Sequence, residues 1–165
     1  MSGGAVREGG CACCKTRYRI AGELIMVHHC LCRQCQQQTG STGVVNGFWE
    51  SDRVELLSGD LAEFSVPGGS GEPHTIVRCK DCGSAVFSHY GRLGRLMTGV
   101  RAGSLDEPGS ITPDVTIFTA EAMPWVRFDT DNPQFEGYYD PREVLPEESL
   151  DRLRALGKRR RADEG

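Results

Sequence analysis

RCKDCGSAVF (78–87) places two cysteines three positions apart and follows them with a glycine, Gly83. A turn of this kind folds the backbone tightly around a metal ion, and a glycine at its end is free to adopt a positive φ. The stretch supplies two ligands, Cys79 and Cys82, whereas a structural zinc site has four. The other half of such a site must come from another part of the chain.

GGCACC (9–14) provides that other half. Alternate residues of a strand face the same way, so Cys11 and Cys13 can present their thiolates to one point. Together with Cys79 and Cys82 they predict a closed, structural four-cysteine zinc site that joins the N-terminal region to the middle of the chain. Cys14 points away from Cys13 on such a strand, and we expect it to be a small buried thiol.

CLCRQCQQQTG (30–40) contains a second group, with only three thiols: Cys30, Cys32 and Cys35. Iron–sulfur motifs have other spacings and need four protein ligands, so zinc is again the preferred metal. Two hypotheses for the fourth position stay open. It is either a protein ligand, for which His28 is the best candidate, or an open position for water or substrate, which is the mark of a catalytic zinc. The other protein candidates are Cys14, His29, His74, His89 and acidic residues.

The chemistry of three thiolates indicates the kind of substrate. They leave Zn²⁺ with a net charge of about −1, which weakens it as a Lewis acid and suits it to a soft fourth ligand. A second thiol, held as thiolate, is such a ligand. This group therefore favours sulfur chemistry.

Composition bounds the alternatives. The 165 residues include eight cysteines, but a disulfide scaffold suits small secreted chains, and residues 1–7 (MSGGAVR) contain no apolar run typical of a secretory signal. No stretch reaches the roughly 18 apolar residues of a membrane helix. The net charge of −4 disfavours a nucleic-acid-binding protein. We expect a soluble cytoplasmic protein that binds metal, no nucleic acid and no membrane.

The remaining sequence predicts a mainly β fold. Glycine makes up 21 of the 165 residues, about 13% against a usual share of roughly 7%. Period-two runs of β-branched and aromatic residues predict strands. These runs are 43–49, 61–66, 75–77, 84–90 and 114–120. Gly59-Asp60 predicts a hairpin turn, and residues 67–73 (PGGSGEP) predict a loop.

A short helix is predicted only near the C-terminus. Pro146 can open it, Leu150, Leu153 and Leu156 form a partial apolar stripe, and Gly157 is expected to end it. The basic residues that follow, in 158–165, then form a solvated tail.

GGCACC (9–14), CLCRQCQQQTGS (30–41) and RCKDCGSAVF (78–87) together resemble the glutathione-dependent formaldehyde-activating enzyme family, which also includes centromere protein V. PDVTIFTAEAMPWVRFDTDNPQFEG (113–137) is similar to that family's closing segment. The resemblance covers residues 9–137. Two positions depart from the family pattern without removing a ligand, because Cys14 replaces a usual glycine and Leu31 replaces a frequent histidine.

The resemblance implies a zinc-stabilised, β-tent-like single domain with two zinc ions per chain. One ion would be structural, and the other, at Cys30, Cys32 and Cys35, would be catalytic. The implied activity is that of a carbon–sulfur lyase, which interconverts glutathione plus formaldehyde with S-hydroxymethylglutathione. A small-molecule thiol, with glutathione as the leading candidate, is the expected partner.

The domain organisation follows from these limits. We expect a flexible N-terminus (1–8), the zinc-binding domain (9–137), and a C-terminal extension with a short helix and a basic tail (138–165). The alternative to an enzyme is a non-catalytic, zinc-stabilised binding module whose second zinc is closed by a fourth protein ligand. Thr39 and Ser41 could contact substrate, but turn roles are favoured. The aromatic side chains of Phe48, Trp49 and Trp125 could line a pocket, although a place in the core is the commoner one for aromatic residues and is the one we expect.

Overall fold

The computed structural model describes residues 4–69, 71–128 and 131–164. Parts of four expected features therefore lie outside the described residues: 1–3 of the N-terminus, 70 of the predicted loop, 129–130 of the closing segment and 165 of the tail. Within the described residues the protein is mainly β, with two sheets and a C-terminal helix, so the predicted fold class is confirmed.

The small sheet contains three antiparallel strands near the N-terminus. In chain order they are β1 (Val6–Gly10), β2 (Arg17–Ala21) and β5 (Val54–Ser58). The spatial order is β1-β2-β5. β1 begins inside the segment 1–8 that we expected to be flexible, and the domain boundaries themselves stay a prediction.

The large sheet contains eight strands. They are β3 (Met26–Cys30), β4 (Val44–Glu50), β6 (Leu61–Pro67), β7 (Pro73–Cys79), β8 (Ala85–Tyr90), β9 (Met97–Arg101), β10 (Val115–Ile117) and β11 (Gln134–Phe135). Their spatial order is β11-β10-β3-β4-β9-β8-β7-β6. The pairs are antiparallel except β10 with β3 and with β11, which are parallel.

The two faces of the large sheet bury different groups. Trp49 of β4 and Val100 of β9 pack in one cluster with Tyr18 and Ile20 of the small sheet. Phe48, the neighbour of Trp49, lies in a second cluster on the opposite face with the helical residues of the C-terminus. This follows from the period-two alternation of strand side chains. The expectation that Phe48 and Trp49 lie in the core is confirmed.

One predicted turn and one predicted strand differ in the structure. Gly59-Asp60 does not close a hairpin, because β5 and β6, on its two sides, belong to different sheets. Gly59 instead has a φ of 88°, and the chain passes there from the small sheet to the large one. The strand predicted at 114–120 ends at Ile117, since Phe118 adopts a left-handed φ of 58°. The other four predicted strands are confirmed.

Helix α1 (Arg33–Thr39) was missed by the sequence reasoning. Its Gln-rich sequence has no apolar stripe to mark it. The Sγ of Cys32 caps its N-terminus by accepting a hydrogen bond from the main-chain N–H of Cys35, and Gly40 ends it with a φ of 63°. The helix therefore begins and ends at residues of the CLCRQCQQQTG segment.

Helix α2 (Glu147–Asp163) begins where predicted but continues through Gly157, so the predicted end was wrong. Leu150 and Leu156 pack against the large sheet before the glycine, and Arg160, beyond it, donates to the carbonyl oxygen of Gly91. The basic residues expected to form a solvated tail are helical, and Arg160 pairs with Glu164 at 2.7 Å, one turn further on. Glycine is only mildly unfavourable inside a helix, so tertiary packing overrides it.

No helix in the described part of the chain is long and apolar enough to cross a membrane.

Replacement of Gly157 by alanine should stabilise the protein, because α2 continues through this position. The added Cβ would lie 3.7 Å from the Nη1 atom of Arg161, an ordinary contact. We expect the free energy of unfolding to rise by about 0.5–1 kcal/mol in equilibrium urea titrations.

Gly40→Ala is the matched control. Its left-handed φ of 63° should make the same substitution destabilising by about 1–2 kcal/mol. A destabilised Gly157→Ala variant would contradict a continuous α2.

Candidate metal centres

The first cysteine cluster brings together Cys11, Cys13, Cys79 and Cys82, whose sulfur atoms all lie within 4.8 Å of one another. The Sγ atoms of Cys11 and Cys13 are 3.4 Å apart, and those of Cys13 and Cys79 are 3.9 Å apart. A tetrahedral Zn²⁺ with Zn–S bonds of about 2.3 Å separates its sulfur ligands by about 3.8 Å. The cluster therefore fits a zinc ion with four protein ligands.

A turn, not a strand, brings Cys11 and Cys13 together. β1 ends at Gly10, and the main-chain N–H of Cys14 donates to the carbonyl oxygen of Cys11 at 3.0 Å. The strand alternation that we invoked for these thiols is therefore wrong, although the pairing stands. On the opposite side, Gly83 donates to the carbonyl oxygen of Cys79 at 2.9 Å and has the positive φ that we predicted, 75°.

Ser84 joins the two halves of this cluster. Its hydroxyl accepts a hydrogen bond from the N–H of Ala12 at 3.3 Å and lies 3.2 Å from the Sγ of Cys82. Hydrogen bonds from the Ser84 hydroxyl and main chain lower the pKa of Cys82 to about 5. Since the thiolate is the form that binds metal, Cys82 is prepared to be a ligand.

Cys14 lies outside the cluster. Its side chain is exposed and its backbone has a left-handed φ of 64°, so the expectation of a buried thiol was wrong. The reason is the turn after β1, which directs the chain away from the core directly after Cys13.

The second cysteine cluster contains Cys30, Cys32 and Cys35, whose sulfur atoms also lie within 4.8 Å of one another. Cys30 ends β3, Cys32 caps α1 and Cys35 lies in its first turn. Cys30 and Cys35 are buried and pack with Val115, Ile117 and Tyr139. The structure thus places this cluster against the large sheet, not in a peripheral loop.

The three thiols of this second cluster are hydrogen-bonded to one another. Hydrogen bonds from Cys30 and Cys35 lower the pKa of Cys32, while hydrogen bonding to Cys32 and Cys35 raises the pKa of Cys30. The main-chain N–H of Cys35 also donates to the Sγ of Cys32, which favours the thiolate form of Cys32. Because metal ligands must be deprotonated, binding of a metal here would release the remaining protons.

No histidine or carboxylate joins the three cysteines within the described residues. His28, the best candidate for a fourth ligand, shares the face of β3 with Cys30, but its Nε2 atom lies 2.8 Å from the Tyr139 hydroxyl. Its ring packs against Phe48, and burial lowers its pKa to about 4. His28 is thus a neutral, hydrogen-bonded side chain of the core.

The other histidines are also engaged elsewhere. The Nδ1 atom of His89 donates to the carbonyl oxygen of Met97 at 3.1 Å. His74 lies between Gln34 of α1 and Ser88 of β8, with its Nδ1 atom 3.0 Å from Gln34 Oε1 and its Nε2 atom 3.0 Å from Ser88 Oγ. Since Gln34 Oε1 can only accept, Nδ1 carries the proton and Nε2 accepts from the Ser88 hydroxyl.

A polar network near the second cluster was not predicted from the sequence. It comprises side chains of α1 and of four strands, Gln34, His74, Tyr90, Asn46 and Arg101. The His74 ring stacks on Tyr90 with centroids 4.2 Å apart, and the Asn46 amide donates to the Tyr90 hydroxyl at 3.1 Å. Arg101 donates to Asn46 Oδ1 at 2.9 Å. Burial, followed by the charge of Arg101, lowers the pKa of His74 to about 4.

The remaining residues that we singled out have structural positions. The Thr39 hydroxyl donates to the carbonyl oxygen of Cys35 at 2.8 Å, within α1. Trp125 is 67% exposed, so the expectation that it is a core residue was wrong. The chain reverses direction around it after β10, which leaves its indole outside the sheets. Ser41 is exposed in the turn after α1.

The fold and the two clusters define a β-rich, cysteine-based metal-binding domain. The sequence model of the family described as "Glutathione-dependent formaldehyde-activating enzyme" matches residues 6–121, more than two thirds of the chain. The chain therefore belongs to this family, and the resemblance inferred from its cysteine motifs is confirmed.

Other comparisons contribute less. A structural-genomics crystal structure of a Rhodobacter sphaeroides protein is 14% identical, with 78% of this chain and 98% of that chain covered and a TM-score of 0.47. At this level the likeness adds no support to the assignment. A search of curated proteins gave no match.

Cys79→Ser should lose one metal ion per chain and much of its stability. Binding free energies of structural zinc in finger peptides are about 10–16 kcal/mol, comparable with the roughly 5–15 kcal/mol of an entire domain. We expect the melting temperature or the soluble yield to fall sharply, with metal content measured by plasma mass spectrometry.

Cys14→Ser serves as the control, since this exposed thiol lies outside both clusters. It should keep its metal content and melting temperature. A stable Cys79→Ser protein with unchanged metal content would show that the first cluster is not a metal site.

Proposed function

We propose that the protein is a zinc-dependent carbon–sulfur lyase-type enzyme acting on the adduct of a thiol and an aldehyde. The model reaction is that of the family, glutathione plus formaldehyde forming S-hydroxymethylglutathione. The observation that carries the proposal is the second cluster, where three thiols, two of them buried, converge without a fourth protein ligand in the described part of the chain. The proposal includes a cytoplasmic location, where thiols stay reduced.

Both clusters fit zinc by their donor chemistry. Cys11, Cys13, Cys79 and Cys82 would hold a structural ion, and Cys30, Cys32 and Cys35 would hold a second one, giving two zinc ions per chain. A zinc ion held by the three thiolates of the second cluster would have a position left for a fourth ligand, and a thiol sulfur in its thiolate form would be favoured there.

The protein's own residues prepare the site for this chemistry. Burial of Cys30 and Cys35 and the cover of α1 exclude bulk water, which strengthens polar interactions there. His74, Tyr90 and Arg101 all lie close enough to interact electrostatically with the cluster thiols. Such groups can orient a bound substrate, which is the main contribution expected for joining two reactants.

The reaction balances without a further reactant. In the cleavage direction the adduct's hydroxyl proton passes to solvent, the carbon–oxygen double bond forms, and the carbon–sulfur bond breaks with its electron pair on sulfur. In the opposite direction the thiolate attacks the aldehyde carbon, and the oxygen takes a proton. The non-catalytic binding module is the competing hypothesis, and the tests below separate it from the enzyme.

Cys35→Ser should lose one zinc ion per chain and the thiol-dependent activity while the protein stays folded. The serine hydroxyl is a poor zinc ligand at neutral pH, and the first cluster remains intact. We expect a smaller loss of melting temperature than in Cys79→Ser, together with loss of aldehyde release from S-hydroxymethylglutathione.

Gln37→Ala, an exposed position of the same helix, is the control and should keep both activity and zinc. Unfolding of Cys35→Ser as severe as that of Cys79→Ser would indicate that both clusters are structural and would favour the binding module.

Glutathione should bind with its sulfur at the second cluster, and S-methylglutathione should bind much more weakly, because its blocked sulfur cannot become a thiolate. Titration calorimetry gives the two affinities, and X-ray absorption at the zinc edge reports whether a further sulfur enters the coordination shell. Equal affinities, or no binding of either, would defeat the glutathione assignment.

A further inference from the structure

Arg101 has an incomplete set of hydrogen bonds at a buried position. It is the last residue of β9, and only 5% of its surface is exposed. Its Nη1 atom donates to Asn46 Oδ1, but its Nε and Nη2 atoms have no hydrogen-bond partner within the described residues. Unsatisfied donors on a buried charged group cost free energy, so native proteins rarely keep them without a reason.

Arg152 shows how the same fold treats another shielded guanidinium. Its Nε and Nη2 atoms donate to the two carboxylate oxygens of Glu50 at 2.7 and 2.6 Å. Its Nη1 and Nη2 atoms also donate to the carbonyl oxygens of Leu24 and Glu23, each at 2.9 Å. Within the part of the chain that the structure describes, Arg101 has no such carboxylate partner on the equivalent atoms.

The two unpartnered atoms of Arg101 indicate which chemical group would complete its hydrogen bonds. In a guanidinium, the Nε–H and one Nη–H group point the same way and form a planar fork. This fork matches the two oxygens of a carboxylate, as it does between Arg152 and Glu50. The free edge of Arg101 therefore suits a carboxylate better than a single hydroxyl or carbonyl oxygen.

The position of Arg101 indicates where that carboxylate would come from. Arg101 interacts electrostatically with Cys35 of the second cluster. It also lines a cavity of about 860 Å³, within the size range of small-molecule sites, roughly 300–1,000 Å³. The other lining residues include Cys11 of the first cluster but none of the three cysteines of the second. Arg101 nevertheless lies on the same face of the large sheet as Cys30, with β4 between their two strands, so a thiol bound at the second cluster would share that face with the guanidinium.

The charges of this cavity favour an anion. Its charged lining residues are Arg17, Arg78, Arg101 and Asp106. Arg17 already pairs with Asp106 at 2.5 Å, and Arg78 donates to main-chain and amide oxygens. Arg78 and Arg101 are thus the cationic side chains of the cavity that pair with no carboxylate within the described residues.

Asn46 fixes the guanidinium in place. Its amide oxygen accepts from Arg101, its amide nitrogen donates to Tyr90, and Tyr90 stacks on His74. His74 in turn bonds Gln34, which lies between Cys32 and Cys35 on α1. The fork is thereby held at a set position relative to the cluster, as a preorganised binding group requires.

We propose that Arg101 binds a carboxylate group of the thiol substrate through its Nε–Nη2 edge. The inference rests on the proposed function and deepens it, because it restricts the substrate to thiols that carry a carboxylate. Arg101 is then a substrate-binding residue that selects among thiols.

The first experiment compares two small thiols of similar size on the zinc-loaded protein, 3-mercaptopropionate and 2-mercaptoethanol. Calorimetry should show that the wild-type protein prefers the carboxylate-bearing thiol by tenfold or more. Arg101→Met should lose most of that preference while 2-mercaptoethanol binds as before. Arg101→Lys, which keeps the charge but not the fork, should show an intermediate preference.

Controls address the fold. Arg152→Met removes a guanidinium that is paired, and its preference between the two thiols should equal that of the wild-type protein. Zinc content and circular dichroism show whether each variant is folded. If Arg101→Met does not fold, the wild-type preference and the Arg101→Lys variant still decide the matter.

Several results would overturn the inference. A wild-type protein that binds the two thiols equally has no carboxylate site. Equal loss of affinity for both thiols in Arg101→Met would mean that Arg101 only balances the charge of the cluster thiolates. Unchanged thiol binding with slower aldehyde release would place the aldehyde oxygen, not a carboxylate, at Arg101.

A second measurement separates this inference from the proposed function. Carbon-13-labelled formate is a carboxylate without a thiol, and its NMR line broadening should fall in Arg101→Met relative to the wild-type protein. Formate binding that depends on Arg101, in a protein that binds no thiol, would sustain the anion site and defeat the lyase proposal. Thiol binding without an Arg101-dependent formate signal would defeat the anion site alone.

Discussion

The convergence of four cysteine sulfurs from two turns is the constraint on which the rest of the structure depends. Cys11 and Cys13 follow the first strand of the small sheet, whereas Cys79 ends a strand of the large sheet and Cys82 follows it. A metal bound at this point would fasten the two sheets together at one end. Lys15 and Asp81, 2.6 Å apart, add an ion pair across the same junction. Farther along, the sheets pack through apolar contacts such as Tyr18 on Phe87, whose rings are 4.9 Å apart.

The two cysteine clusters differ in how the chain builds them. The first lies between turns, with Cys13 and Cys82 exposed, and all four of its positions can be filled by the protein. The second lies on a face of the large sheet, under the first turn of α1, and combines the end of a strand with a helix cap. A short helix that begins at a ligand can cover the site without closing it. This difference is the physical basis for our proposal that the first cluster has a structural role and the second a chemical one.

Features that depend on neighbouring residues were predicted correctly from the sequence. Predictions failed where contacts between distant residues determine the structure. Cysteine spacing identified both clusters, because ligand grouping is a local signal. Strand runs were found by alternation, but Gly59-Asp60 was mistaken for a hairpin, since its local turn signal does not say which sheet each strand joins. Gly157 was mistaken for a helix end because tertiary contacts on both sides of it override its weak helix propensity.

The polar network beside the second cluster could not be predicted for the same reason. Asn46, Tyr90 and Arg101 are single polar residues on three strands, and only the register of the sheet makes them neighbours. Asn46 pairs with Arg101 across β4 and β9, and His74 pairs with Tyr90 across β7 and β8. In the sequence these polar residues are far apart and look like isolated exceptions to an apolar pattern. Only the pairing of the strands brings them together into one connected network.

This polar network lowers the stability of the fold. A buried arginine with two free donors and a histidine held neutral by burial both oppose stability, whereas apolar side chains of similar volume at these positions would not. These polar groups lie on the face of the large sheet that also carries the three thiols of the second cluster. The opposite face, against the small sheet, is filled by Trp49, Val100 and other apolar residues. The polar network and the cluster of Trp49 and Val100 thus lie on two sides of one sheet, so the polar groups do not interrupt the packing between the two sheets.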